Sequence, residues 1–313
     1  MKNKNDELLQ KFEKTVKDWE VFIKKYEGSG IIKKIQRFWF SPDKYIYIPY
    51  LLSKYKILGP LLNIKLYRKR KLFWGKEILI NINDPMGCAL GSRGILALSE
   101  TKLTKFLIKN LRENDVFYDI GANHGFYTYL ASEICKETHA FEPTPSLAKE
   151  LRENLKNSPN VYVNQIAVSD KNGEVILNLY DDSGRNTIKN NVVNNHLIRK
   201  IKHKNEVKVQ TITLDTYINT HSKPTFIKLD IEGAESDAIE GAKKFLQNNS
   251  PIISIEIVGE EKWSDSANNA VKKLITLNYA PYYITDTGEI KKIDKNYLPG
   301  MVKDGYENFI FKK

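Results

Sequence analysis

Val116-Phe117-Tyr118-Asp119-Ile120-Gly121-Ala122-Asn123-His124-Gly125-Phe126 decides the fold. A short apolar run ending in Asp119 has the pattern of a parallel strand covered on both faces, since such a strand has no solvent side on which to alternate polar residues. The glycines beyond it predict a tight turn, and the apolar residues from Phe126 onward begin a helix. Gly121 and Gly125 are expected where a side chain would stop the backbone closing around a ligand. Glu142 follows 23 positions after Asp119, at the end of a second short strand over residues 138–141. An acidic residue about 20 positions beyond a glycine turn is placed to accept hydrogen bonds from ribose hydroxyls. The turn is not a full GxGxxG. Three glycines suit a pyrophosphate, whereas Gly121-x-x-x-Gly125 with Asp119 at the strand end suits a cationic, phosphate-free nucleoside. The competing reading is a turn that is only structural.

Later blocks decide between these readings. Phe141-Glu142-Pro143-Thr144-Pro145 follows the second strand, and Asn164-Gln165-Ile166-Ala167-Val168-Ser169-Asp170 follows the third. Phe226-Ile227-Lys228-Leu229-Asp230-Ile231-Glu232-Gly233-Ala234-Glu235 and Pro251-Ile252-Ile253-Ser254-Ile255-Glu256 come next. In this order and spacing the chain resembles the FkbM family of S-adenosylmethionine-dependent methyltransferases, closely over residues 98–258. The resemblance implies a Rossmann-like α/β fold, a mostly parallel sheet closed by antiparallel strands. It also implies O-methylation of a hydroxyl on a glycan, a glycolipid precursor or a secondary metabolite. Two regions are expected: a basic, aromatic-rich extension over residues 1–95 and a methyltransferase domain over residues 96–313.

The chain has 313 residues and a formal net charge of +11. Residues 1–95 hold 20 Lys/Arg against 9 Asp/Glu, so the whole excess lies there and the rest of the chain is balanced. Such asymmetry suits an anionic partner, and equally a solvated basic face. Cys88 and Cys135 have neither metal-ligand spacing nor a disulfide framework, which fits a reducing cytoplasm. No signal peptide and no membrane-spanning segment is expected, because no apolar run approaches the roughly 20 residues needed.

Residues 6–27 carry apolar side chains at helical spacing and predict an amphipathic helix whose stripe needs a partner surface. Residues 31–71 mix aromatics with Lys and Arg, which suits peripheral contact with a phospholipid surface or packing with snorkelling lysines. Residues 73–83 read as a strand, and Ser99-Glu100-Thr101 as the start of a helix through Leu111. After a strand over residues 174–180, residues 181–205 are polar and rich in Asn, the pattern of an acceptor-side loop. Residues 279–285 and 306–312 read as the closing strands.

The resemblance and the site logic assign roles. Asp119 and the turn of Gly121, Ala122, Asn123 and Gly125 would hold the methionine end of S-adenosylmethionine, the carboxylate toward its ammonium group and turn amides toward its carboxylate. Glu142 would take both ribose hydroxyls, and Ala167 matches the family position beside the adenine. His124 reads either as a base near neutral pH or as a turn residue presenting its backbone. Methyl transfer to a hydroxyl needs alignment and a base. Asp230 or Glu232 is the expected base, Glu256 an orienting partner, and Lys228 a cation on the same strand face as Asp230. The same carboxylates can bind Mg²⁺ instead, although none is predicted. Glu235 reads equally as a functional residue and as a helix cap. An RNA 2′-O-methyltransferase is the rival enzyme, motivated by the basic region but without an RRM or KH signature, so nucleic acid is not the expected partner. An adaptor with a vestigial fold is the non-enzymatic rival.

Overall fold

The computed structural model describes residues 3–25, 67–82, 84–180, 182–188, 203–257, 265–303 and 306–313. The chain divides into two compact units, Met1–Thr101 and Lys102–Lys313.

In the first unit, helix α1 (Lys4–Lys25) buries Leu8, Phe12 and Val16 at spacings of four, so its apolar stripe has a partner. Phe12 meets Phe73 edge-on at 5.1 Å, and the Arg93 guanidinium lies 5.3 Å from the Trp19 ring. Strands β1 (Tyr67–Lys71) and β2 (Glu77–Asn81) form an antiparallel hairpin with Tyr67 opposite Asn81. The sequence pattern had placed one strand over residues 73–83; residues 73–76 instead form the connection between two. The glycine-bearing run after Asp84 is helix α2 (Pro85–Arg93), unexpected because Gly87 and Gly91 are poor helix formers. Pro85 at its first turn, the Asp84 side chain accepting from the Met86 amide at 2.9 Å, and left-handed Gly94 delimit it. Gly91 lets this helix approach Ile80 and Arg70, which a Cβ would press at 3.1 and 3.2 Å. The proposed lipid-facing stretch, residues 31–71, lies outside the described residues except for β1. Among the described residues no helix is long and apolar enough to cross a membrane. Cys88 and Cys135 are buried and form no disulfide with each other.

The second unit is an α/β fold. After helix α3 (Thr101–Asn110), strand β3 (Val116–Ile120) enters the middle of an eight-stranded sheet. Helix α4 (Phe126–Ile134), strand β4 (Glu137–Phe141), helix α5 (Pro145–Leu155) and strand β5 (Val161–Asn164) wind to one edge in parallel. Strands β6 (Ala167–Val168), β7 (Gly173–Tyr180) and β8 (His203–Ile212) leave to form a separate three-stranded sheet. Residues 203–205, expected in a loop, begin β8.

The chain returns through helix α6 (Leu214–Tyr217) to strand β9 (Phe226–Leu229), parallel to β3 on its other side. Short helices α7 (Glu235–Glu240) and α8 (Lys243–Asn248) precede strand β10 (Ile252–Glu256), again parallel. Helix α9 (Asp265–Thr276), strands β11 (Ala280–Ile284) and β12 (Ile290–Lys292), helix α10 (Leu298–Lys303) and strand β13 (Asn308–Lys312) complete the unit. β13 inserts antiparallel between β10 and β11, so the strands expected to close the sheet do close it.

Every residue of β3 and β9 is buried. Tyr118, Ile120, Ile227, Leu229, Ile253 and Ile255 form the centre of one core layer. Fully burying each aliphatic residue of that group contributes about 1.5–3 kcal/mol. Because β3 continues to β4 on one side while β9 lies on the other, the sheet order switches at the carboxyl ends of β3 and β9. A crevice for ligands opens at such a point.

Candidate functional site

Asp119 ends β3 at this switch point. Its side chain is only 1% exposed. Oδ2 accepts from Thr128 Oγ1 at 2.6 Å, whereas Oδ1 has no hydrogen-bond donor and stands 3.9 Å from Lys228 Nζ. Burial holds this carboxyl above its usual range, against the Lys228 charge and the Thr128 hydroxyl. A buried carboxylate oxygen without a donor is costly, and an ammonium group supplies what it lacks.

The turn after Asp119 is braced by β4. The Gly121 and Ala122 amides both donate to the Phe141 carbonyl, at 3.0 and 3.1 Å, and Gly125 N donates to the Ala122 carbonyl at 2.8 Å. Asn123, in the left-handed region at φ 50°, donates its amide to Glu142 Oε2 at 2.8 Å. These four amides therefore bond within the protein, to Phe141, Glu142 and Ala122. The reason for the glycines differs from the expected one. A Cβ at Gly121 would collide with the Asp230 carbonyl oxygen, and one at Gly125 with Leu151; both have positive φ. Protein backbone and side chain, rather than ligand, demand them.

Glu142 is buried at the end of β4. Its second oxygen accepts the Thr144 amide at 2.8 Å, and burial raises its pKa against these bonds. Each carboxylate oxygen has a further lone pair, so the residue remains an acceptor for hydroxyls. His124 Nδ1 pairs with Glu150 at 2.7 Å with both side chains buried, which ties the turn to α5. That is the turn role, not that of a free base. Ala167 lies in β6, and its methyl packs with Leu177 and Val209 in the second sheet.

The carboxylates after β9 and β10 come together as the spacing implied. Oxygens of Asp230, Glu232 and Glu256 lie within 4.8 Å of one another. Lys228 Nζ is 2.8 Å from Asp230 Oδ2 and 5.0 Å from the centre of the Tyr127 ring. Burial alone would lower the Lys228 pKa, but Asp230 and Asp119 beside it outweigh burial and keep it charged. Asp230 is held below its usual range in spite of burial by the Lys228 ammonium and a hydrogen bond with Glu256. Glu232 differs sharply. Burial first, then the charge of Asp230, pushes its carboxyl up to about 8. Its backbone stands at φ 52°, a strain of about 1–3 kcal/mol of the kind found at functional turns. Glu235 accepts the Ile231 and Gly233 amides at 3.2 and 3.1 Å, so it fastens the turn before α7, while α7 itself has no side-chain cap at Ala234. Asp230, Glu232 and Glu256 are spaced so that they could hold a cation, and the Lys228 ammonium lies 2.8 Å from the Asp230 carboxylate.

Sequence reasoning missed the partners from elsewhere: Thr128 on α4, and a short turn at residues 183–185 that rests on the site. Ser183 Oγ donates to Asn123 Oδ1 at 3.0 Å and Thr187 Oγ1 to the Glu232 carbonyl at 2.8 Å. The polar stretch 181–205 was the signal, though not the residue.

A family model described as the methyltransferase FkbM domain matches residues 119–291. The chain is 24% identical over 152 residues to the hexuronic acid methyltransferase AglP of Haloferax volcanii, covering 48% of this chain and 59% of that protein. It is 26% identical over 162 residues to the 2-O-methyltransferase NoeI of Sinorhizobium fredii, covering 47% and 66%. The chain thus spans less than two thirds of the length of these relatives. A crystal structure of an FkbM methyltransferase from Methylobacillus flagellatus aligns with a TM-score of 0.42 at 14% identity, over 65% of this chain and 44% of that one. With more than half of its length and all of the carboxylate-lined crevice inside the family match, the chain belongs to the FkbM family of methyltransferases.

Proposed function

We propose that the chain transfers the methyl group of S-adenosylmethionine to a hydroxyl oxygen of a glycan, a glycolipid precursor or a secondary metabolite. The observation that carries this reading is Asp119 Oδ1, a buried carboxylate oxygen with no donor at the switch point of the sheet. In the proposed complex it receives the ammonium group of the cofactor, and Glu142, held by the Asn123 and Thr144 amides, takes the ribose hydroxyls. The names of the two curated relatives, one for a hexuronic acid and one for a 2-O position, favour a sugar hydroxyl.

The bound cofactor supplies an electrophilic methyl group on a positively charged sulfur. Bound there, it would supply the methyl group to an acceptor oxygen held in line with it and leave as the neutral thioether, and this chain's part would be to align the hydroxyl and take its proton at a carboxylate. Of the two expected bases, Glu232 is favoured. A base works best with a pKa near the working pH; Glu232 sits at about 8 and is not committed to Lys228. Asp230 is already ion-paired and held low. Glu256 orients Asp230, and Lys228 compensates the negative charge of the cluster.

Titration calorimetry with S-adenosylmethionine tests the reading. Binding that weakens by about tenfold or more in Glu142→Ala is expected, given the usual worth of hydrogen bonds to a charged group. No binding by the unaltered protein would refute it.

A further inference from the structure

The turn over residues 182–188 is fastened to three loops of the site at once. Ser183 reaches Asn123 in the loop after β3, and Thr187 reaches the Glu232 carbonyl after β9. Asn186 Nδ2 reaches Thr144 Oγ1 after β4 at 3.2 Å. Asp182 closes the turn by accepting the Gly184 amide at 3.2 Å, and Thr187 bonds Asn178 of β7 through both backbone groups. The polar side chains from Asp182 to Thr187 are thus committed, with one exception. Arg185 donates its backbone amide to the Asp182 carbonyl at 3.1 Å, but its side chain is exposed and its guanidinium makes no hydrogen bond and no ion pair among the described residues. The turn that carries it bonds the Glu232 carbonyl through Thr187, and the Arg185 charge pulls the Glu232 carboxyl down against burial without an ion pair between the two among the described residues.

We infer that Arg185 is a specificity residue that receives an anionic group, a carboxylate or a phosphate, carried by the sugar whose hydroxyl is methylated. The inference rests on the proposed function. Among the described residues the side chains grouped here besides Lys228 and Arg185 are carboxyl groups, Asp230, Glu232, Glu235, Glu256 and Asp182, so an anionic acceptor is disfavoured unless a cation meets it. Lys228 is committed to Asp230 and Asp119. A guanidinium offers five donors in a planar fork that matches the two oxygens of a carboxylate or phosphate. Held by a rigid turn beside Glu232, Arg185 can hold one end of a sugar while a hydroxyl of the same sugar lies at the base.

Calorimetry on the full chain saturated with S-adenosylhomocysteine provides the test, with methyl β-glucuronide, methyl β-glucoside 6-phosphate and neutral methyl β-glucoside as probes. At least one anionic sugar should bind about tenfold tighter than the neutral one, as expected for a charge-assisted pair. Whichever anion is preferred separates carboxylate from phosphate. Arg185→Ala should abolish the preference while still binding S-adenosylhomocysteine, and Arg185→Lys should keep part of it. Among the described residues the charged groups that act on Glu232 besides Arg185 include the acidic Asp230, Glu235 and Asp182, with Glu256 in the same cluster, so Arg185→Ala should also move the alkaline rise in activity to higher pH. Equal binding of the three sugars, no binding of either anionic sugar, or a preference that survives in Arg185→Ala overturns the proposal. A shifted pH profile with the preference intact overturns it too, because Arg185 would then serve charge balance alone. Failure of the unaltered protein to bind S-adenosylhomocysteine removes the methyl-transfer reading first, and this proposal with it.

Discussion

The carbonyl oxygen of Asp230 occupies the space in which Gly121 would carry a Cβ. The turn after β3 and the acidic loop after β9 therefore meet backbone to backbone, and the Asp230 amide completes the contact by donating to the Ile120 carbonyl at 3.1 Å. This approach sets the distance between Asp119 and the Lys228–Asp230 pair. Gly121→Ala adds a methyl group there and also requires a left-handed Ala at φ 84°. The variant is expected to lose about 2 kcal/mol or more of stability, seen as a lower thermal midpoint, together with most of its cofactor affinity. An unchanged midpoint would mean that the two loops separate freely.

Asp119→Asn keeps the shape and removes the charge. S-adenosylmethionine affinity should fall by about 10- to 100-fold, the usual worth of a hydrogen bond to a charged group. The ligand-free thermal midpoint should stay within about 4 °C of the parent, because the lost charge was buried with one oxygen unpartnered. Loss of affinity without loss of stability would identify Asp119 as a binding residue rather than a brace.

Glu232 makes the rate depend on pH in a definite direction. With its carboxyl at about 8, the protonated form predominates below that value and cannot take a proton, so methyl transfer should rise as pH passes through about 8. Glu232→Gln should cost about 10²- to 10⁴-fold in kcat and abolish this rise. The stability effect runs the other way. A carboxyl raised above its ordinary value stabilises the fold at low pH, and that contribution is lost as pH rises through about 8. The thermal midpoint of Glu232→Gln should therefore overtake that of the parent in the alkaline range, which a melting series from pH 5 to pH 9 would reveal.

Lys228→Met leaves Asp230 and Asp119 without their cation. Removing one partner of a buried pair typically costs about 3–5 kcal/mol. Asp230 is held low by Lys228, so the stability the pair supplies is present above the ordinary carboxyl range and is lost as pH falls. The deficit of the variant should consequently be larger at pH 8 than at pH 4. A deficit independent of pH would indicate lost packing against Tyr127 instead.

Much of this arrangement was legible in the order of residues. The buried strand into Asp119, the acid at Glu142 and the carboxylates after β9 and β10 follow from strand periodicity and from the rule that ligands gather at strand ends. The closing strands were readable for the same reason. Helix α2 was not, because its two glycines argue against a helix that packing against the hairpin supports. The second sheet was not, because β6 has only two residues and its partner β8 follows after a long loop. Arg185 looked like any charge in a polar loop, since nothing nearby in sequence shows that Ser183, Asn186 and Thr187 fasten that loop to the site.

Local pattern together with the family resemblance thus pointed to the fold class, the glycine turn and the set of candidate carboxylates, because strand periodicity, glycine turns and helix starts depend on chain neighbours. Tertiary structure divided the labour among them. It placed Lys228 between Asp119 and Asp230, left Glu232 half-buried and protonatable near pH 8, and showed that Gly121 is required by the Asp230 carbonyl. Protonation and hydrogen-bond satisfaction depend on which groups from distant parts of the chain are packed within a few ångströms, and no local pattern contains that information.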